Sequence, residues 1–466
     1  MQILTEQQKS EIHERSLGLL AKIGVKLDHD QARERVIRAG AKSGSEKNQI
    51  VFPPEMVAEA MQLAPDKARI ATLNNDIIEL TPESGQTFWT GAALNLLEDD
   101  ASRPIRRNDL ANIARVADTQ ACISAVTGTS IEDEHPHHRD FVGFRILAQN
   151  CHKHLRPLIF TKHGVEPVLE MAQVLSDGQR LREFPIFSLG YSIVSPFHWT
   201  DIPFEWYLKT RGTQLPMMIN GEPLAGASSP VTLAGSILQT NAEILSGVII
   251  YQVLDPGRPV IFNMGFAHTL DMRTAIALGG SPECSLMACA GTEMAKFYGL
   301  PCASWFASDS LCEDYQAAAE KTFHALLHAL AGVNIIWGIG QMETQKALSL
   351  SQIILDAETV EYIRHFKKGI DFSESSLALD AILKENFKGQ YLMHDHTLQN
   401  FKNDYYENRI FNRMKREHWQ EKGGKTSRQR ANDRVGQIIQ KTEPLLSEQV
   451  QRELSKIEDK FKKLIS

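Results

Sequence analysis

The chain has 466 residues, 42% of them hydrophobic and 23% charged, with a formal net charge of −7. That length fits about two or three domains, or one large barrel with additions. The composition lies near the globular average and excludes a disordered, collagenous or coiled-coil protein. No apolar run approaches the ~20 residues that cross a bilayer; the longest, Ile244 to Leu254, is interrupted by Ser246, Gly247 and Gln252. The start, Met1-Gln2-Ile3-Leu4-Thr5-Glu6, lacks the basic and apolar parts of a signal peptide. A cytoplasmic protein with no membrane partner is expected. Six scattered cysteines without CxxC pairing read as free thiols packed as small hydrophobes. From Phe401 to Ser466 there are 16 Lys and Arg against 10 Asp and Glu, so the first 400 residues carry −13. So acidic a body argues against nucleic acid as the partner.

In chain order, residues 5–70 read as helices. Glu6–Ile23 has apolar residues at Ile12, Leu17, Leu19, Leu20 and Ile23, and Gly24 stops it. Asp28–Ala39 and Pro54–Leu63 follow, the second with Pro at its first position. Short apolar, β-branched or aromatic runs then alternate with helical periodicity. Eight strand candidates result: Thr87–Ala92, Cys122–Thr127, Pro157–Thr161, Pro185–Tyr191, Pro216–Asn220, Pro259–Met264, Cys302–Phe306 and Val333–Gly338. Asn108–Thr119, Pro167–Leu175, Pro230–Leu254, Glu283–Tyr298 and Asp314–Leu330 are the helices between them, and Ser349–Phe366 and Ser375–Phe387 come after.

Eight strands alternating with helices over about 250 residues predict an α/β fold, a (β/α)8 TIM barrel. The continuous apolar runs suit a parallel sheet buried on both faces. The expected boundaries are an N-terminal helical addition over 1–86, the barrel over 87–345 and a C-terminal helical extension over 346–466. Together they make one catalytic domain.

The site of such a barrel lies at the carboxyl ends of its strands. Aromatic side chains are concentrated there: Trp89, Tyr191, Phe266, Trp305, Phe306 and Trp337. Ringed aromatics hold a quaternary ammonium ion, whose charge cannot be hydrogen-bonded; large aromatics also simply fill a barrel mouth. No nucleophile–base pair accompanies them. Three His-x-His triplets occur, His135-Pro136-His137, His152-Lys153-His154 and His394-Asp395-His396. Their spacing suits metal ligands, which leaves a metal-dependent barrel hydrolase as an alternative. Loop packing explains them as well. Leu278-Gly279-Gly280-Ser281-Pro282 offers backbone amides at a helix start but has no P-loop continuation.

Longer motifs resemble the trimethylamine methyltransferase superfamily, in its branch without pyrrolysine that includes the glycine betaine:corrinoid methyltransferases. They are Gly226-Ala227-Ser228-Ser229-Pro230-Val231-Thr232-Leu233-Ala234-Gly235, Asn241-Ala242-Glu243 and Asp255-Pro256-Gly257-Arg258-Pro259-Val260. Gly280-Ser281-Pro282-Glu283, Phe297-Tyr298-Gly299-Leu300-Pro301, Asp314-Tyr315-Gln316-Ala317-Ala318, Ala331-Gly332-Val333-Asn334 and His394-Asp395-His396-Thr397 extend the match. The resemblance implies a barrel enzyme of the EC 2.1.1 class that moves a methyl group from an amine to the Co(I) form of a corrinoid. A separate corrinoid protein carries that group, so no permanently bound cofactor and no metal ligand are expected. The sequence contains only standard residues, which points from trimethylamine to a quaternary amine. Such a donor leaves as a neutral tertiary amine and needs no general acid. Glycine betaine comes first among donors; carnitine, proline betaine and γ-butyrobetaine are close rivals, and a non-catalytic betaine-binding homologue is a further alternative. The expected cation cage is the six aromatics above. Lys162, His163, Asn220 and His268 are the candidate carboxylate partners, with Glu222, Asp309 and Gln341 as polar support. A homo-oligomer is expected, the helical additions being candidates either for its interface or for the face that docks the corrinoid protein, and the reducing demands of Co(I) place the protein in an anaerobic cytoplasm.

Overall fold

The computed structural model describes residues 2–441 and 443–465. Eight parallel strands build its centre: β1 (Thr87–Thr90), β2 (Ile123–Thr127), β3 (His154–Arg156), β4 (Leu189–Ile193), β5 (Met217–Gly221), β6 (Val260–Gly265), β7 (Cys302–Trp305) and β8 (Ile335–Ile339). They pair in the order β3-β2-β1-β8-β7-β6-β5-β4. A parallel bridge from Leu155 to Phe187, just before β4, closes the ring. Each strand feeds a helix: Arg107–Asp118, Arg139–Asn150, Val165–Leu175, Ile202–Lys209, Leu233–Leu254, Pro282–Phe297, Tyr315–Ala331 and Leu350–Lys368. This is the expected (β/α)8 barrel.

The third strand is the main correction to the strand positions. It ends at Arg156, ahead of the expected Pro157–Thr161. Pro157 has no N–H to give the ladder, so the run Leu158-Ile159-Phe160 leaves the sheet and lines the mouth instead. The N-terminal region is mixed, where an all-helical addition was expected. Helices Glu6–Lys22, Asp30–Arg38 and Pro54–Leu63 share it with short strands and with a hairpin, Ala68–Ala71 against Ile77–Leu80. Ala68, Ile70 and Leu80 of that hairpin pack with Trp89, Met218, Ile261 and Trp305 of the barrel interior, so the hairpin plugs the amino-terminal end of the ring.

Leu233–Leu254 is long and apolar enough to cross a membrane by length and composition, although no run of that kind was expected. Its side chains are mostly buried, packed in one hydrophobic core that extends from Leu4 to Phe461. The helix starts after Thr232, not at Pro230, because the preceding serines make a turn in which Gly226, Ala227 and Ser228 donate their N–H groups locally. The expected helix Ser375–Phe387 is broken into Glu374–Leu377 and Leu379–Glu385 at Ala378, whose φ is +53°.

Candidate functional site

The carboxyl ends of the strands surround an open cavity of about 820 Å³. Trp89 from β1, Trp337 from β8 and Phe266 after β6 line it. Phe266 and Trp337 rings meet with centroids 4.2 Å apart at 52°. Trp305 packs behind them, 5.9 Å from Phe266 and nearly parallel to it, and gives its indole N–H to Gln341 Oε1 at 2.5 Å. Trp305 and Gln341 therefore brace the aromatic wall from outside the cavity lining. Phe306 is next in sequence and faces the other way, because side chains alternate along a strand. Its ring lies under Lys321 Nζ, 4.6 Å away, in the layer between strand and helix. Tyr191 lines the cavity and is fixed by Thr200 Oγ1 at 3.0 Å and by an edge contact to Trp206.

The expected carboxylate partners divide. Asn220 and His268 line the cavity. Asn220 Oδ1 accepts from Asn263 Nδ2 at 2.9 Å, leaving the Asn220 amide only a long contact, 3.4 Å, to Ser192. Burial holds the His268 pKa down at about 4, so it is a neutral donor or acceptor at pH 7. Lys162 and His163 are exposed in the turn before Val165 and lie off the cavity. Lys162 pairs with Asp201. They were placed at a strand end only because β3 was expected to run to Thr161. Asp309 is likewise engaged elsewhere. Its two carboxylate oxygens accept the Gly279 and Gly280 amides at 2.8 and 3.0 Å, so the Gly-Gly amides already hold an anion from their own chain.

Glu222 follows β5 and lines the cavity. Burial raises its pKa, partly offset by a hydrogen bond from Ser192. Arg156, the last residue of β3, is the polar group that the sequence expectations omitted. Its Nη1 donates to Ser188 O at 3.0 Å while the side chain lines the cavity. Burial alone brings its pKa down to about 10, with no carboxylate beside it, so the guanidinium is charged at neutral pH. Gly190 makes room for it: a Cβ there would lie 2.3 Å from Arg156 Nη2. The His154-Leu155-Arg156 alternation before Pro157 was the available signal. Arg156 on β3 and the Phe266–Trp337 pair, from the β6–β8 side, lie on opposite sides of the ring. The indole N–H groups of Trp89 and Trp337 have no hydrogen-bond partner among the described residues.

The His-x-His triplets do not converge on this cavity. His154 is buried, its Nδ1 donating to Ala71 O and its Nε2 accepting from Ser188, while His152 pairs with Asp118. His394 caps the helix Asp395–Asp404, and His135, His137 and His138 pack on one another. Among the described residues no three His, Cys, Asp or Glu side chains are placed to share a metal ion.

The family model of trimethylamine methyltransferase (MTTB) matches residues 1–464. A trimethylamine methyltransferase MttB of Desulfitobacterium hafniense (strain DSM 10664 / DCB-2) is 28% identical over 448 residues, covering 94% of this chain and 90% of that protein. A glycine betaine methyltransferase of Desulfitobacterium hafniense (strain Y51) is 28% identical over 444 residues, covering 94% and 92%. Among solved structures, the monomethylamine methyltransferase of Methanosarcina barkeri superposes with a TM-score of 0.51 at 12% identity, covering 98% of this chain and 91% of that one, a likeness of fold. With a family model matched along nearly its whole length, the chain belongs to the trimethylamine methyltransferase family.

Proposed function

We propose that the cavity binds a small zwitterionic quaternary amine, glycine betaine first among them, and presents one of its methyl groups for transfer to a corrinoid carried by a partner protein. The observation that carries this reading is Arg156: a half-buried, charged guanidinium with no carboxylate partner among the described residues, opposite an aromatic wall in one cavity. A guanidinium takes a carboxylate through paired N–H donors. Phe266, Trp337 and Trp89 offer faces to a cation, each worth about 0.5–2 kcal/mol when desolvated, and Glu222, when ionised, supplies the counter-charge. Trimethylamine has no group for Arg156; carnitine, proline betaine and γ-butyrobetaine do, and cavity shape would choose among them.

A corrinoid at the mouth supplies the methyl acceptor. The rim suits its approach, since Leu94, Phe160 and Val194 line the cavity yet stand largely exposed. The chain's own residues bind and orient. Arg156 fixes the carboxylate end, the aromatic wall fixes the ammonium, and the apolar lining keeps water from the reacting methyl. No proton has to be moved, because the departing dimethylamino acid is neutral at nitrogen, and this agrees with a cavity in which His268 is uncharged. Loss of the Glu222 charge at low pH weakens cation binding, so affinity falls as pH drops through its raised pKa.

Titration calorimetry without the corrinoid protein tests the pocket. Glycine betaine and choline share the trimethylammonium group and differ in the carboxylate. The expected result is binding of betaine at least about tenfold tighter than choline, as one charged hydrogen-bonded pair provides. Equal affinities would remove Arg156 from the site.

A further inference from the structure

Among the described residues, β7 and the loop after it give no side chain to the cavity lining, whereas each of the other seven strands or its loop does. The polar groups of that loop are turned on its neighbours instead. Asp309 Oδ1 accepts the Gly279 N–H at 2.8 Å and Oδ2 the Gly280 N–H at 3.0 Å, and Oδ1 also accepts the Thr344 hydroxyl. Ser308 O accepts from Thr344 N at 3.0 Å and Ser310 O from Glu343 N at 3.2 Å. Glu320 fixes Asp309 from behind: its Oε2 accepts from Asp309 N and from Ser308 Oγ, both at 2.8 Å.

Two mouth segments are held in this way. One is a flap after β6, in which His268–Asp271 pairs antiparallel with Ile276–Leu278. It brings His268 and Ala277 to the cavity, and its base rests on the aromatic wall, since a Cβ at Gly279 would lie 2.5 Å from the Trp305 ring. The other is the turn after β8. Glu343, Thr344 and Gln345 have φ of +52°, +47° and +74°, three successive non-glycine residues in the left-handed region. Such a run persists only where its surroundings impose it. The turn brings Thr344, Gln345 and Lys346 to the cavity, and Lys346 O accepts from Leu94 N and Asn95 N at 3.2 and 2.9 Å, which ties it to the loop after β1. Among the described residues no hydrogen bond joins flap to turn directly; Asp309 is the link.

We propose that Asp309 is a positioning residue: it locks flap and turn into one rim above the aromatic wall, and so fixes the ammonium end of a bound donor without touching it. The second half of this statement rests on the reading of the cavity as a methyl-donor site. Arg156 stands on β3, outside the Asp309 network, so the carboxylate end keeps its hold when the rim loosens. Loss of the lock therefore falls on rate more than on affinity. A reacting group displaced by about 1 Å loses on the order of 100-fold in rate while the ligand is still bound.

Asp309→Asn is the test, because the amide puts an NH2 group where the three donors require an acceptor. Amide hydrogen exchange of the full chain, read by mass spectrometry, should quicken over 276–281 and over 341–347 together, with 123–127 and 154–156 unchanged. With the corrinoid protein and glycine betaine, kcat should fall about 10- to 100-fold, while the betaine dissociation constant from calorimetry stays within about threefold. If that variant does not fold, Thr344→Val, which removes a single hydroxyl, should quicken exchange over 341–347 and lower kcat in the same direction. Unchanged exchange in either segment of Asp309→Asn overturns the proposal, as does a fall in kcat no larger than the loss of affinity. A parent inactive with every carboxylated quaternary amine would defeat the reading of the cavity, and the exchange result alone then upholds or overturns the lock.

Discussion

Arg156 holds a full charge without an ion pair among the described residues, and it remains charged because even a pKa lowered to about 10 exceeds physiological pH. Arg156→Met should therefore lower kcat/KM for glycine betaine by about 10- to 100-fold, equivalent to roughly 1.5–3 kcal/mol for a charged hydrogen-bonded pair. Gly190→Ala should do much the same from a neighbouring strand by displacing the guanidinium. By contrast His163→Ala should leave steady-state kinetics unchanged, because that ring is exposed and off the cavity; a loss beyond about threefold would return it to the site. His154 makes a different prediction. Burial holds its pKa at about 3, against 6.5 when unburied, so between those values the unfolded chain binds a proton that the folded protein refuses. Its contribution is complete above pH 6.5 and is lost at about 1.4 kcal/mol per pH unit below it. Denaturant unfolding at pH 7.5 and 5.5 should show a smaller drop for His154→Gln than for the parent.

Among the elements, most helices and seven of the eight strands were legible because their signals are local: apolar periodicity, a proline at a helix start, glycine at an end. Pro54–Leu63 coincides with its expectation. β3 was not legible, because three residues cannot establish a period and the apolar run after Pro157 imitates a strand. That single shift of register removed Arg156 from view and brought Lys162 and His163 in. Whether Trp305 or Phe306 faces inward depends equally on register, and Asp309 is taken by amides 29 and 30 residues earlier in the chain, a pairing no local pattern reveals. Behind the aromatic wall, Lys321 and Asp356 form a buried pair at 3.0 Å. Lys321 also donates to Gly338 O and Gln341 O, on either side of the turn that follows Trp337. Lys321→Met leaves Asp356 buried without its cation and should cost roughly 3–5 kcal/mol, read as a lowered denaturation midpoint. Lys321→Met combined with Asp356→Leu should recover much of that loss.

For the molecule as a whole, the sequence additions become a second shell. Glu6–Lys22 packs against Leu233–Leu254, Ser427–Ile439 against Leu350–Lys368, and Glu448–Leu464 against Val165–Leu175. They thicken the barrel wall on its flanks and leave the mouth open to the cavity, as the proposed delivery of an acceptor by another protein requires. The basic tail helices meet acidic barrel groups in part: Lys462 lies 2.9 Å from Glu134 and Lys460 2.7 Å from Glu170. The charge asymmetry thus has a use within the fold. The most direct test of the central claim is the conversion of Co(I) to methyl-Co(III) corrinoid, followed by absorbance with a reduced corrinoid protein and a panel of amines. Turnover with glycine betaine or another carboxylated quaternary amine, and little or none with choline or trimethylamine, is the expected result. Equal turnover of trimethylamine, or failure of every carboxylated quaternary amine, would contradict it.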